Sequence, residues 1–189
     1  MTRLFRPHLL GMDDGPFEKG ARGDVTIVGV VMEGADLVEG IVVTRFPVDG
    51  EDATAFLSDW ILGLRFRPAL QGIVLGGITV AGLGIIDIAE LAARTGAPVL
   101  AVSRRDPKDH RLAEALRAAG LADRVAIVER TPPAFAVAGG VFVAGAGASP
   151  ERVAELLLAS RSKADLPEPL RLAHLIARAV VTGESHGRV

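Results

Sequence analysis

The sequence predicts an α/β domain built on a mixed β-sheet, and three observations carry that prediction. Apolar, β-branched runs of strand length, such as DVTIVGVVME at residues 24–33, are interleaved with longer stretches of helical periodicity. The first three strand-like runs follow one another through short connections, which makes antiparallel neighbours. The later runs alternate with helices, which implies parallel strands joined by crossovers.

Residues 9–13 read as a buried strand that runs out into Asp13 and Asp14. A loop rich in Gly and charge leads to strand two (24–33). Gly34-Ala35-Asp36 joins that strand to strand three (38–47) as a hairpin. Asp49-Gly50-Glu51-Asp52 opens a helix: acidic side chains in a first turn complement the helix dipole, and Phe56, Trp60, Ile61 and Leu64 recur at helical spacing. Strand four covers 72–78, and a helix over 86–95 stops at Gly96. Strand five, 97–103, is apolar without interruption and so needs cover on both faces. A helix follows over 108–119, stopped by Gly120, and residues 125–129 and 136–144 read as short strands. Two helices, 150–160 and 167–181, each with Pro near the start, close the chain. The expectation is one domain over 1–189, with strands one to three antiparallel and helices on both faces of the sheet.

Composition narrows the function. The 189 residues are 49% hydrophobic, 23% charged and 4% aromatic, which suits one aliphatic core. With 21 basic and 23 acidic residues the net charge is −2, so a polyanion must be met by a local patch or a metal. The absence of Cys excludes disulfides, thiolate catalysis and cysteine-based zinc sites. Residues 1–11 hold no apolar segment long enough for a signal peptide, and the chain reads as cytoplasmic. Residues 68–86 are free of charge, yet their five glycines (72, 76, 77, 82 and 84) make them a strand and a turn-rich loop, and no membrane span is expected.

Several stretches carry chemistry. Asp13 and Asp14 stand where a buried strand ends, and a carboxylate there is costly unless paired or metal-bound. Strand alternation sends the two to opposite faces. Asp49, Glu51 and Asp52 sit at a helix start, and Asp87 is the only acid of GGITVAGLGIIDI; each also reads as a cap. Arg104, Arg105, Lys108, His110 and Arg111 cluster after a parallel strand, where ligands gather in open α/β sheets, or else form a solvated helix start. VAGAGASPER resembles an anion-binding turn but lacks the third glycine of a dinucleotide fingerprint. On the last helix Arg171, His174 and Arg178 share one face, while His174, among Leu172, Leu175 and Ile176, reads as a core histidine. Gly183 and Gly187 let GESHGRV turn back towards the strand-one aspartates. G-x-S-x-G, H-E-x-x-H and EF-hand patterns are absent. Scattered carboxylates suit an oxygen-ligated Mg²⁺ or Mn²⁺ better than zinc.

LLGMDDGPF, VGVVMEG, VDGEDAT, GGITVAGLGIIDI, APVLAVSRR and PEPLRLAHLIARAVVTGESHGRV together resemble the endonuclease dU family, itself distantly similar to endonuclease V. The resemblance spans nearly the whole chain. It implies a ribonuclease H-like fold and a metal-dependent endonuclease acting on deoxyuridine-containing or otherwise deaminated DNA by two-metal hydrolysis. Asp13 matches the first-strand aspartate that bridges the metals in such nucleases. Endonuclease V carries a second aspartate before a glycine on its fourth strand, where this chain has Gly76 before Gly77. Asp52, Asp87 or Glu184 would then complete the site. The implied catalytic acids are Asp13, Asp14, Asp52, Asp87 and Glu184, with Asp13, Asp52 and Asp87 holding Mg²⁺ or Mn²⁺. Arg104, Arg105, Lys108 and Arg188 would contact the phosphates of DNA, uracil-containing DNA included. The missing acid at Gly76 favours the alternative, a non-catalytic nucleic-acid- or nucleotide-binding protein on the same fold.

Overall fold

The computed structural model describes residues 5–18, 20, 22–107 and 111–186. Its main sheet has seven strands. In chain order the elements that matter are β1 (His8–Asp14), β2 (Asp24–Glu33), β3 (Leu37–Pro47), α1 (Ala53–Leu62), β4 (Gly72–Leu75), β5 (Thr79–Val80), β6 (Gly84–Ile85), α2 (Ile88–Thr95), β7 (Val99–Ser103), α3 (Arg111–Ala118), α4 (Val125–Arg130), β8 (Phe135–Val137), β9 (Val141–Ala146), α5 (Pro150–Ala159) and α6 (Glu168–Thr182). The sheet order is β3-β2-β1-β4-β7-β9-β8, and β5 and β6 form a separate two-stranded hairpin. β1 pairs antiparallel with β2, and β2 with β3. β1, β4 and β7 are mutually parallel.

Alternation along β1 decides which layer each side chain enters. Leu10 and Met12 join Ile73, Leu75 and Val99 beneath Leu57 and Ile61 of α1 and Ile88 and Leu91 of α2. Leu9 faces the other way, with Val74, Leu100 and Val143 against Val153, Leu156 and Leu157 of α5 and Leu170 of α6. Each such side chain contributes about 1.5–3 kcal/mol on full burial. Both faces of β1, β4 and β7 are thereby closed. α6 reaches the sheet closely because its fully buried residues against Val28, Val30 and Met32 of β2 are the small Ala173 and Ala177, with Leu172 and Ile176 partly buried beside them. Gly11 completes this approach: a Cβ there would lie 2.2 Å from the carbonyl carbon of Pro169.

Four sequence expectations are corrected. Residues 125–129 are helix α4, not a strand; Val125 packs with Leu116 of α3 and Ile85, and so short an apolar run carries no period that separates the two. The strand read over 136–144 is a hairpin, turned at Gly139 and Gly140, whose φ values are 91° and 72°. Because β9 arrives through that hairpin and not through a crossover, it runs antiparallel to β7, so the later strands are not all parallel. Strand four also stops early, at Leu75, where Gly76-Gly77 begins the turn into β5.

Candidate active site

The parallel strands β1, β4 and β7 all end at one edge of the sheet. Met12 is in register with Leu75, and Leu75 with Ala101, so Asp13, Gly76 and Val102 come next, side by side. A Cβ on Gly76 would stand 3.7 Å from Oδ1 of Asp13 and 3.8 Å from Leu170, which is ordinary contact. The place beside Asp13 is therefore open.

Asp13 and Asp14 do part to opposite faces. Oδ2 of Asp13 lies 2.6 Å from Nδ1 of His174 on α6, and Oδ1 accepts the Asp14 N–H at 3.0 Å. The hydrogen bond to Asp13 holds the His174 imidazolium above its ordinary pKa, against partial burial. Asp14 turns towards α1 and accepts the Ala81 N–H at 2.9 Å. Burial, followed by repulsion from Asp13, pushes its carboxyl up to about 6. A second carboxylate pins the same hairpin: Asp49 Oδ1 accepts the Leu83 N–H at 2.7 Å. Asp49, Asp52 and Ala81 are the non-glycine residues with positive φ among those described, at 53°, 53° and 48°. Strain of about 1–3 kcal/mol per residue thus gathers around this hairpin.

Asp13 and His174 stand at the edge of a cleft of about 610 Å³, which Arg104, Arg171, Arg178 and His186 also line. Arg171 is committed to the buried Glu168, whose Oε2 accepts its Nε and Nη2 at 2.9 and 2.7 Å. Arg104 and Arg178 make no ion pair among the described residues. Asp13 is the sole acid among the described residues lining the cleft. The balance is cationic and suits a phosphodiester backbone.

The remaining expected residues fall elsewhere. Asp87 caps α2, accepting the Ala89 and Glu90 N–H groups at 3.0 Å, and pairs with Arg130 at 2.7 Å. Burial acts to raise its pKa, but the Glu90 N–H and Arg130 outweigh it and hold the carboxyl below its ordinary value. Asp52 precedes α1 in left-handed conformation and makes no side-chain cap. Glu184 is exposed, and its carbonyl accepts the Thr182 hydroxyl. Among the described residues no group of three or more His, Asp and Glu is placed to hold a metal ion. The expected set of Asp13, Asp52 and Asp87 is thus not assembled: Asp87 is committed to the start of α2 and to Arg130, and Asp52 stands at the start of α1. Of the described residues lining the cleft, Asp13 is the one carboxylate that could hold a hard cation, with water and a substrate phosphate to complete it in the usual manner of Mg²⁺. Arg105 lines a neighbouring pocket and not the cleft. Lys108 and Arg188 lie outside the described residues. His174, Arg171 and Arg178 are the site residues that the sequence reading did not assign; their shared helical face was the available signal.

The sequence pattern of the endonuclease dU family matches residues 6–181. The chain belongs to the endonuclease dU family. Among its relatives, the UPF0215 protein of Thermococcus gammatolerans is 40% identical over 193 residues, 98% of each chain. That of Methanothermobacter thermautotrophicus is 36% identical over 190 residues, covering 95% of this chain and 90% of its own. Among solved structures, a protein of unknown function from Archaeoglobus fulgidus superposes with a TM-score of 0.84 at 32% identity, covering 96% of this chain and 99% of its own. Ciona intestinalis endonuclease V, in complex with a 24mer DNA containing an inosine followed by a ribo-adenosine, gives a TM-score of 0.59 at 14% identity. That match covers 94% of this chain and 87% of the nuclease. The mixed α/β fold of this endonuclease dU member is therefore similar to that of endonuclease V. No helix among its described residues is long and apolar enough to cross a membrane.

Proposed function

We propose that this endonuclease dU member is a Mg²⁺- or Mn²⁺-dependent endonuclease of ribonuclease H-like fold that cuts DNA beside deoxyuridine or another deaminated base. The observation that carries the reading is the cationic cleft around the Asp13–His174 pair, at the carboxyl ends of three parallel strands. Arg104 and Arg178 would hold the phosphates flanking the cut. Asp13 would bind the cation, and His174 would fix the Asp13 carboxylate while adding positive charge. A divalent ion there supplies a polarised phosphodiester and an activated water. Two metals would need a further ligand, and Gly76 offers none.

A second pocket of about 430 Å³ supports the preference for a damaged base. It opens on the other side of Gly76-Gly77, shares Ser103 with the cleft, and is lined by Ile78, Leu112, Pro132 and Phe142. An everted base needs an apolar slot of this kind beside the scissile strand. The deciding experiment incubates the protein with oligonucleotides containing uracil, hypoxanthine or neither, with and without Mg²⁺ or Mn²⁺. Metal-dependent cuts at uracil, lost in Asp13→Asn, are expected. Tight binding without cleavage under every metal would instead favour a non-catalytic binding protein, the reading to which the bare Gly76 points.

A further inference from the structure

The loop that leaves β1 carries an aromatic side chain with no part in the cleft. Phe17 is 38% exposed, and it is the only exposed member of the chain's eight aromatics, seven Phe and one Trp. An exposed aromatic on its own is ordinary. The mounting of this one is not.

The Gly15 N–H donates to the Thr26 carbonyl at 2.8 Å. A Cβ on Gly15 would come within 2.8 Å of Val181 and 3.1 Å of the Ala177 carbonyl oxygen, so the backbone lies flush against α6. Pro16 then restricts its own φ and biases Gly15 towards extended conformations. Behind the Phe17 ring stands the tip of the β5–β6 hairpin, where a Cβ on Gly82 would be 3.3 Å from Cζ. That tip is itself held by Asp14 and Asp49 through the Ala81 and Leu83 N–H groups. The ring edge thus meets the hairpin tip at Cζ, while more than a third of the Phe17 surface stays exposed. Phe17 stands four positions after Asp13, at most ~14 Å of extended chain.

We propose that Phe17 is a stacking platform for a base of the bound DNA, close to the nucleotide whose phosphate faces Asp13. This rests on the nuclease reading above and adds the means by which an unstacked strand is held. Phe17 has no polar group and reads no base identity, so the contact is sequence-tolerant and favours DNA whose helix is already interrupted. Aromatic stacking on one base changes affinity by roughly 5- to 100-fold.

The test measures affinity of the full chain for a uracil-containing duplex carrying 2-aminopurine beside the uracil, using Asp13→Asn as the background so that the substrate stays intact. Phe17→Ala should weaken binding at least fivefold, leave the melting temperature unchanged, and abolish the fluorescence change of 2-aminopurine on binding. Phe17→Trp should restore both, and Phe17→Leu neither. Affinity within twofold for Phe17→Ala, or full rescue by Phe17→Leu, overturns the stacking role while leaving the nuclease reading intact. No binding by the parent protein would overturn both.

Discussion

Oδ2 of Asp13, at the end of β1, lies 2.6 Å from Nδ1 of His174 on α6, at the rim of a cleft lined by three arginines. The pair joins two elements far apart in sequence and makes the charge of the cleft depend on pH. The His174 pKa is raised above 6.5, first through this hydrogen bond. Its contribution to stability is fully present below 6.5 and is lost as pH rises through the raised value. The cleft loses a positive charge over the same window. DNA affinity, measured by fluorescence anisotropy at constant ionic strength, should therefore fall as pH rises above 6.5. His174→Gln should flatten that fall and leave a weaker affinity at the low-pH end.

Arg178 lies one helical turn beyond His174 on the same face, and Arg104 follows the end of β7. Each cation that neutralises a DNA phosphate adds ~0.9 to the slope of log affinity against log salt, or ~0.7 for a single strand. Arg178→Ala or Arg104→Ala should lower the measured slope by about that amount across all DNA sequences. Arg171→Ala should act differently, because Arg171 neutralises the buried Glu168. Its removal leaves a buried carboxylate unpaired, and the melting temperature should drop along with binding.

How far the site was legible depended on which interactions are local. Asp13 was readable as a carboxylate at the end of a buried strand, and alternation alone sent Asp14 to the opposite face. Asp87 carried a local signal as well, as an N-cap, and that signal won over the metal role that the family resemblance implies. His174 was misread because its sequence neighbours Leu172, Leu175 and Ile176 suggest an apolar surround on every side. The fully buried contacts with β2 are Ala173 and Ala177, with Leu172 and Ile176 partly buried beside them, and one residue further along a helix is about 100° around it. His174 accordingly falls on the flank, 59% exposed, where only the tertiary fold shows Asp13 waiting. α4 was misread for a related reason: six residues are too few to show a period, and its partner is α3 rather than the sheet.

Asp14 should limit stability above neutral pH. Its pKa is about 6 in the fold against an ordinary 3.8, through burial and then the Asp13 charge. Between those values the folded state binds more protons than the unfolded chain, so stability falls as pH rises through that range. The loss stays in place above it. Asp14→Asn removes the charge yet keeps an oxygen that can accept the Ala81 N–H. It should stabilise the protein at pH 8 by ~1–3 kcal/mol. For a chain of this size that is an increase of ~2–12 °C in melting temperature. Near pH 4 the two proteins should melt together. An Asp14→Asn protein no more stable than the parent at pH 8 would show the carboxylate to be compensated there.

The bare position beside Asp13 gives the sharpest test of the cation. Gly76 keeps its φ outside the left-handed region, and a Cβ there meets nothing closer than 3.7 Å. Gly76→Asp is therefore sterically admissible, and it sets a second carboxylate next to Asp13 in the cleft. Without metal, two like charges so close repel, and at least one of them must titrate higher than an ordinary aspartate. The variant should be less stable than the parent in EDTA, by ~1–2 kcal/mol, and melt lower. With Mn²⁺ the sign reverses, because a hard cation bound through two carboxylates is held more tightly than through one. Melting temperature followed against Mn²⁺ concentration should thus cross that of the parent. The rise reports affinity directly, since a ligand bound only by the folded state stabilises it by RT ln(1 + [L]/Kd). Gly76→Asn adds the same bulk with no charge and should show neither the loss in EDTA nor the crossing. Were Gly76→Asp insensitive to Mn²⁺, the open place beside Asp13 would not be a cation site, and the proposed role of Asp13 would fall with it.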